Sequence, residues 1–292
     1  MLMSFNIGDW VEHALFGNGK IIEDRGTYFT IRFVTAGEKK LTKTFVQKEG
    51  APPHPGFSFP ETRRTGQSKS AAGMRTHGPA FSFDHLLERF STHYPGGFDD
   101  PAFDADERQY KEAAVRNFAA KLSKAELQLL INAGEYSEIA KRAKQIASGK
   151  MNLIFPQELM KFNDSLKDAL AQEEFGRGLF DVLYGLESEE TLFERYVTVL
   201  GKIGCLKWTV ATYFQFLATN GGAMFMKPLV SQVFAHAVGV DLNYSPEPTW
   251  LTYQKLGETA KIVRLRLEAL GMIPRHGIDV QSFMYVAWYL TK

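Results

Sequence analysis

Apolar residues run most densely between Ile203 and Val240. The first half of this stretch, about Leu206 to Ala218, fits a buried helix. Asn220, Gly221 and Gly222 end it, because Asn and Gly tolerate the left-handed conformation at a helix C-terminus. Pro228 then suits the first turn of a second helix, where a missing N–H costs nothing. Lys227 stands immediately before that proline. A charged side chain in such apolar company either faces solvent or is placed for a purpose.

On both sides of this stretch the pattern from Phe81 onward is helical. A helix starting near Asp106 carries Tyr110, Ala114 and Phe118 in register, and Ser123-Lys-Ala-Glu126 is a capping box that opens the next one. Glu135 to Ser148 follows, with Ile139 and Ile146 seven apart. Pro156 starts a helix predicted to run through Glu174, with further helices over Phe175–Leu186 and Ser188–Leu200. Pro246 and Pro248 precede a long helix from about Trp250 to Leu270, and the last runs from about Asp279 to Leu290. About ten helices over 81–292 predict an all-α domain.

The first 50 residues have a different rhythm. Trp10-Val-Glu-His, Lys20-Ile-Ile-Glu, Tyr28-Phe-Thr-Ile-Arg-Phe-Val and Lys39-Lys-Leu-Thr-Lys-Thr-Phe are short apolar runs separated by glycine-containing segments. That predicts antiparallel strands, enough for a small barrel of about five. Phe16-Gly-Asn-Gly19 reads as a turn, with Trp10, Phe16 and Phe33 filling the interior. Between the two parts, residues 51–80 hold five prolines among Gly, Ser, Thr, Lys and Arg, which predicts a flexible linker. The expected fold is therefore mainly α with a small N-terminal β-barrel: barrel 1–50, linker 51–80, helical domain 81–292.

Charge and composition narrow the function classes. The 292-residue chain has a net charge of +1, but 1–50 carries +1 and the linker +3, which leaves 81–292 at −3. A sign-neutral helical domain does not announce a nucleic-acid binder. The single cysteine, Cys205, rules out an internal disulfide and fits a reducing compartment. No apolar run reaches the ~18–20 residues of a membrane helix, and the N-terminus lacks a signal-peptide pattern. A cytoplasmic protein with no membrane partner is expected.

Ile7-Gly-Asp-Trp-Val-Glu-His, Phe16-Gly-Asn-Gly-Lys-Ile, Ile31-Arg-Phe33 and Gly37-Glu-Lys-Lys-Leu41 resemble the Tudor/SH3-like barrel at the C-terminus of superfamily 1 DNA repair helicases. They are also similar to the polymerase-interacting module of transcription-repair coupling factors. This resemblance implies a barrel that docks on a protein partner such as RNA polymerase or a repair protein.

Phosphate-loop, dinucleotide, zinc-protease, serine-hydrolase and Cys-x-x-Cys motifs are absent, so no cofactor and no metal is expected. The central stretch resembles the helix-hairpin-helix DNA glycosylases of the endonuclease III type. Leu200 to Ala211 lies where that family has its hairpin, and Met226-Lys-Pro-Leu-Val-Ser-Gln-Val233 matches in spacing the string that holds its catalytic aspartate. The family's hairpin glycines fall on Cys205 and Lys207, its catalytic lysine on Thr209 and its catalytic aspartate on Lys227. The resemblance implies a DNA-associated, DNA glycosylase-like enzyme that excises a modified base. The alternative is a non-catalytic adaptor.

Within that reading Lys227 either forms a Schiff base with an opened sugar or holds a phosphate. Asp279 is most simply an N-cap; in a cleft it would stabilise positive charge on the sugar, with Gln281 reading a base edge. Trp250 and Tyr253 stand beside a loop, where aromatics either stack on an extruded base or cover a core. Thr209 completes the candidate substrate contacts.

Overall fold

Glycine 19 explains how the N-terminal strands lie together. A Cβ at this position would sit 2.5 Å from Cδ1 of Phe33, so the residue allows two strands to pack closely across an aromatic side chain. The computed structural model describes residues 5–13, 17–26, 28–33, 37–42, 48–49, 81–149 and 153–292. Its chain falls into two compact units, 1–78 and 79–292. In the first, β1 (Trp10–His13), β2 (Gly17–Asp24), β3 (Tyr28–Phe33), β4 (Gly37–Thr42) and β5 (Lys48–Glu49) form one antiparallel sheet in the order β4-β3-β2-β1-β5. Val11, Ile21, Phe29, Ile31 and Phe33 are its buried core.

Two expectations change here. Among the described residues β4 and β5 are the outer strands and do not pair with each other, so the sheet is open and the closed barrel is corrected. Gly17 and Gly19 belong to strand β2, opposite His13 and Val11, rather than to a turn. The linker 51–80 and Phe16 lie outside the described residues.

The second unit is helical. Its helices are α1 (Phe83–His93), α2 (Pro101–Phe103), α3 (Gln109–Leu122), α4 (Lys124–Asn132), α5 (Tyr136–Ala147) and α6 (Pro156–Ser165), then α7 (Ala169–Tyr184), α8 (Glu189–Lys202), α9 (Trp208–Ala218), α10 (Pro228–Val238), α11 (Trp250–Ala269) and α12 (Gly277–Tyr289). A π-helical turn, Asp104–Arg108, joins α2 to α3. Every residue from Trp208 to Leu217 is buried, so α9 is enclosed on all sides. Its Phe214 and Val210 belong to a core built with α3 to α7, while Trp208 belongs to a second core built with α1, α10, α11 and α12. In that second core Phe90 lies 5.0–5.6 Å from the rings of Tyr94, Phe98, Phe103 and Phe283.

The break expected at Glu174 does not exist. The helix from Pro156 stops at Ser165, and Asp168 caps the next by accepting a hydrogen bond from the Ala171 N–H at 2.8 Å. Glu174-Phe175 carries no breaker, so α7 runs through it. No helix among the described residues is long and apolar enough to cross a membrane.

Candidate functional site

The last helix, α12, starts at Gly277 with His276 as its N-cap, two residues before the start expected at Asp279. Asp279 therefore lies inside the first turn and is fully buried. Arg108, at the end of the π-helical turn, donates from Nε to its Oδ1 and from Nη2 to its Oδ2, both at 3.0 Å. The Arg275 N–H donates to Oδ2 at 2.8 Å. Two further guanidinium N–H groups are satisfied, by Asp104 Oδ1 at 2.9 Å and by the carbonyl of Phe98 at 2.7 Å. Burial works against the Arg108 charge, but the hydrogen bonds to Asp279 and Asp104 outweigh it and raise its pKa above the ordinary value. The π-helical turn has a structural reason: it positions Arg108 to reach α12.

One turn along α12, Ser282 accepts a hydrogen bond from the Lys111 ammonium at 2.7 Å. Lys111 also pairs with Glu107, four residues earlier, and is itself buried. Burial pushes its pKa down, and Glu107 opposes that. A further turn along, the Lys227 ammonium lies 4.2 Å from the centroid of Tyr285, with the Phe155 ring at 6.0 Å. Asp279, Ser282 and Tyr285 are three residues apart and share one face of α12. They form a polar seam that begins with a closed, fully buried ion pair and ends in a partly exposed lysine.

Lys227 is the N-cap of α10, whose first turn has no side-chain cap. Among the described residues no carboxylate lies within ion-pair distance of it. Burial pushes its pKa down to about 8, with the Lys111 charge adding to the shift and Glu107 opposing it. An unfolded lysine titrates near ~10.4, so between about pH 8 and that value the unfolded chain binds the extra proton. Stability therefore gains from Lys227 as pH rises through this window. The expected result is that Lys227→Met is more stable than the parent at pH 7, and that this difference shrinks by pH 9.5. Urea midpoints at the two pH values check it; a constant difference would mean the ammonium is not held in a desolvated setting.

The seam brings Lys227 and Asp279 onto neighbouring elements without contact. Asp279 to Tyr285 is six residues, a rise of ~9 Å along the helix. The cleft position expected for Asp279 and Gln281 is corrected: both are buried, and the Asp279 oxygens are occupied. Gln281 Oε1 has no hydrogen-bond partner. Thr209 is buried in α9 and donates to Glu158 Oε2 at 2.7 Å. Tyr253 stacks on Phe193 of α8 with centroids 4.6 Å apart, and Trp250 lies 5.9 Å from the same ring. These aromatics cover a core, the second of the two roles the sequence left open.

Arg108, Lys111, Glu107, Ser282 and Tyr285 are the seam residues that sequence reasoning missed. One signal was present: Lys111 falls on the stripe of Val115, Phe118 and Leu122, an apolar face that a solvated lysine does not join. Among the described residues no group of three His, Cys, Asp or Glu side chains converges to hold a metal. Comparison with family models, with curated proteins and with solved structures found no match to this chain.

Proposed function

We propose that the protein is a DNA-associated binding protein that holds the sugar-phosphate backbone at Lys227, and that Asp279 serves the fold rather than base excision. The observation that carries this reading is the state of Lys227: a half-buried ammonium, set against aromatic rings, with no carboxylate partner among the described residues. A desolvated unpaired cation is costly, and an incoming phosphate offsets that cost. The uncapped N–H groups of α10 point the same way. The α8–α9 connection, Ile203 to Lys207, adds support, since it joins two helices through Gly204 at φ +79° where the resembled family has its DNA-binding hairpin.

With the helical stretch at −3, the contact is local rather than a broad basic face. Duplex affinity is expected to fall with salt with a logarithmic slope of about −1 to −2, which corresponds to one or two neutralised phosphates. Lys227→Gln is expected to weaken binding and to reduce that slope by about 1. Fluorescence anisotropy across a salt series measures both. No binding at low salt overturns the reading in favour of the adaptor. The adaptor has its own support, because the sheet unit has a separate core and, among the described residues, β4 and β5 are its outer strands, the positions at which an added strand would pair.

A further inference from the structure

We propose that the exposed end of α12 is a stacking platform for a single nucleic-acid strand, with an unpaired base on the Tyr289 ring and the adjoining phosphate at Lys227. The inference rests on the Lys227 site of the preceding reading and deepens it, from the sugar-phosphate backbone in general to a strand whose bases are free.

The spacing along α12 lays out the platform. Tyr285 and Tyr289 are one turn apart, and their rings stack with centroids 6.1 Å and planes 24° apart. Trp288 lies 6.1 Å from Tyr285 on the same helix. Two ammonium groups lie against these rings: Lys227 Nζ is 4.2 Å from the Tyr285 centroid, and Lys292 Nζ is 3.8 Å from the Trp288 centroid. Lys227, Tyr285 and Tyr289 thus follow one another as cation, ring and ring. The ring at the end of the series is open, because Tyr289 is 57% exposed. Packing does not account for it, since Tyr289 belongs to neither core of the helical unit.

The charge around the platform favours a polyanion. Lys227 and Phe155, whose ring also approaches the Lys227 ammonium, are the N-caps of α10 and α6. Neither helix has a side-chain cap, so the partial positive charge of two helix starts adds to the two ammonium groups. Among the described residues neither Lys227 nor Lys292 pairs with a carboxylate. Glu107 acts on Lys227 but is committed to Lys111. A nucleotide joins a flat π face to an anion and so matches both halves of the patch. A base stacked inside a duplex does not offer that face, whereas a base of a single strand does. An acidic peptide matches the cations and leaves Tyr289 without a partner.

The test is fluorescence anisotropy of the full chain with three DNA probes of about 8 nucleotides: a single strand, the same sequence as a duplex, and a single strand of stable abasic residues. The single strand is expected to bind at least about fivefold more tightly than either other probe. Tyr289→Ser is expected to weaken single-strand binding about tenfold and to leave duplex binding unchanged, while Tyr289→Phe, which keeps the ring, binds like the parent. Thermal melting of both variants should stay close to the parent, because the side chain is exposed. A single strand held no more tightly than the duplex, or unaffected by Tyr289→Ser, overturns the platform; if Lys227→Gln still weakens duplex binding, the backbone reading survives that result. An abasic strand held as tightly as the base-bearing one also overturns it, in favour of a charge-only site open to acidic peptides. If Tyr289→Ser weakens the single strand but Lys227→Gln weakens neither probe, the base contact stands and the phosphate contact at Lys227 falls together with the preceding reading.

Discussion

Arg108→Met is expected to destabilise the helical unit by roughly 3–5 kcal/mol, the usual cost of removing one partner from a buried ion pair. The substitution strands the Asp279 carboxylate, which is fully buried and keeps one remaining donor, the Arg275 N–H. Asp279→Asn is expected to fall in the same range, because it leaves a buried guanidinium facing an amide that cannot accept two parallel hydrogen bonds. The double substitution Arg108→Met with Asp279→Leu is expected to recover part of the loss, since an apolar pair of similar volume avoids the desolvation of both charges. Urea unfolding of the four proteins measures this. A second outcome would reverse the roles drawn here: Asp279→Asn as stable as the parent but unable to act on DNA would make the carboxylate a functional group after all.

Gly277→Ala is expected to cost at least about 3 kcal/mol or to prevent folding, the upper end of what overpacking does. A Cβ at 277 would lie 1.9 Å from the carbonyl oxygen of Gly221 and 2.3 Å from its carbon. These are backbone atoms and have no rotamer through which to retreat. Gly221 itself sits at φ +83°, and a Cβ there would meet the N–H of Ile278 at 2.3 Å. The contact pins the start of α12 to the loop after α9, the loop that carries buried Met224, Phe225 and Met226 and ends at Lys227. Gly239→Ala is the control: the same φ of +83° with nothing within 4 Å of the added Cβ, so backbone strain alone, about 1 kcal/mol, is expected. Thermal melts that place all three glycines together would show that the close approach is not a constraint.

Much of the helical unit was legible because its signals are local. Trp208–Leu217 is mostly apolar, with Thr209, Thr212 and Gln215 the polar residues among ten, and that density marks a core helix. Pro228 and Ser123 mark helix starts by their own chemistry, as Asn220-Gly221-Gly222 marks an end. The missed break at Leu166–Asp168 was also local, but an Asp cap within an otherwise continuous pattern is easily outweighed by the pattern. The open sheet was not legible, because closure depends on which strands pair at the edges and not on alternation within any of them.

The site divides in the same way. Lys227 stood out because it interrupts an apolar run beside a proline. Its neighbours did not stand out, because Arg108 and Asp279 are 171 residues apart, as are Lys111 and Ser282. No spacing rule links them; the seam exists through the packing of the π-helical turn, and of Lys111 just after it, against α12. The same distance in sequence hid the fate of Asp279. A carboxylate near a helix start reads as a cap or a catalyst until its buried partner is known.

The claim that Lys227 is the ligand-contacting end of this seam is tested most directly by the modification rate of its amine. Trace reductive methylation of the full chain at pH 8, with and without duplex DNA at low salt, reports each lysine separately by mass spectrometry. The account predicts that Lys227 reacts faster than the exposed lysines, because more of it is neutral at that pH, and that duplex suppresses it selectively. A Lys227 that reacts no faster than the rest and is unaffected by DNA would contradict it.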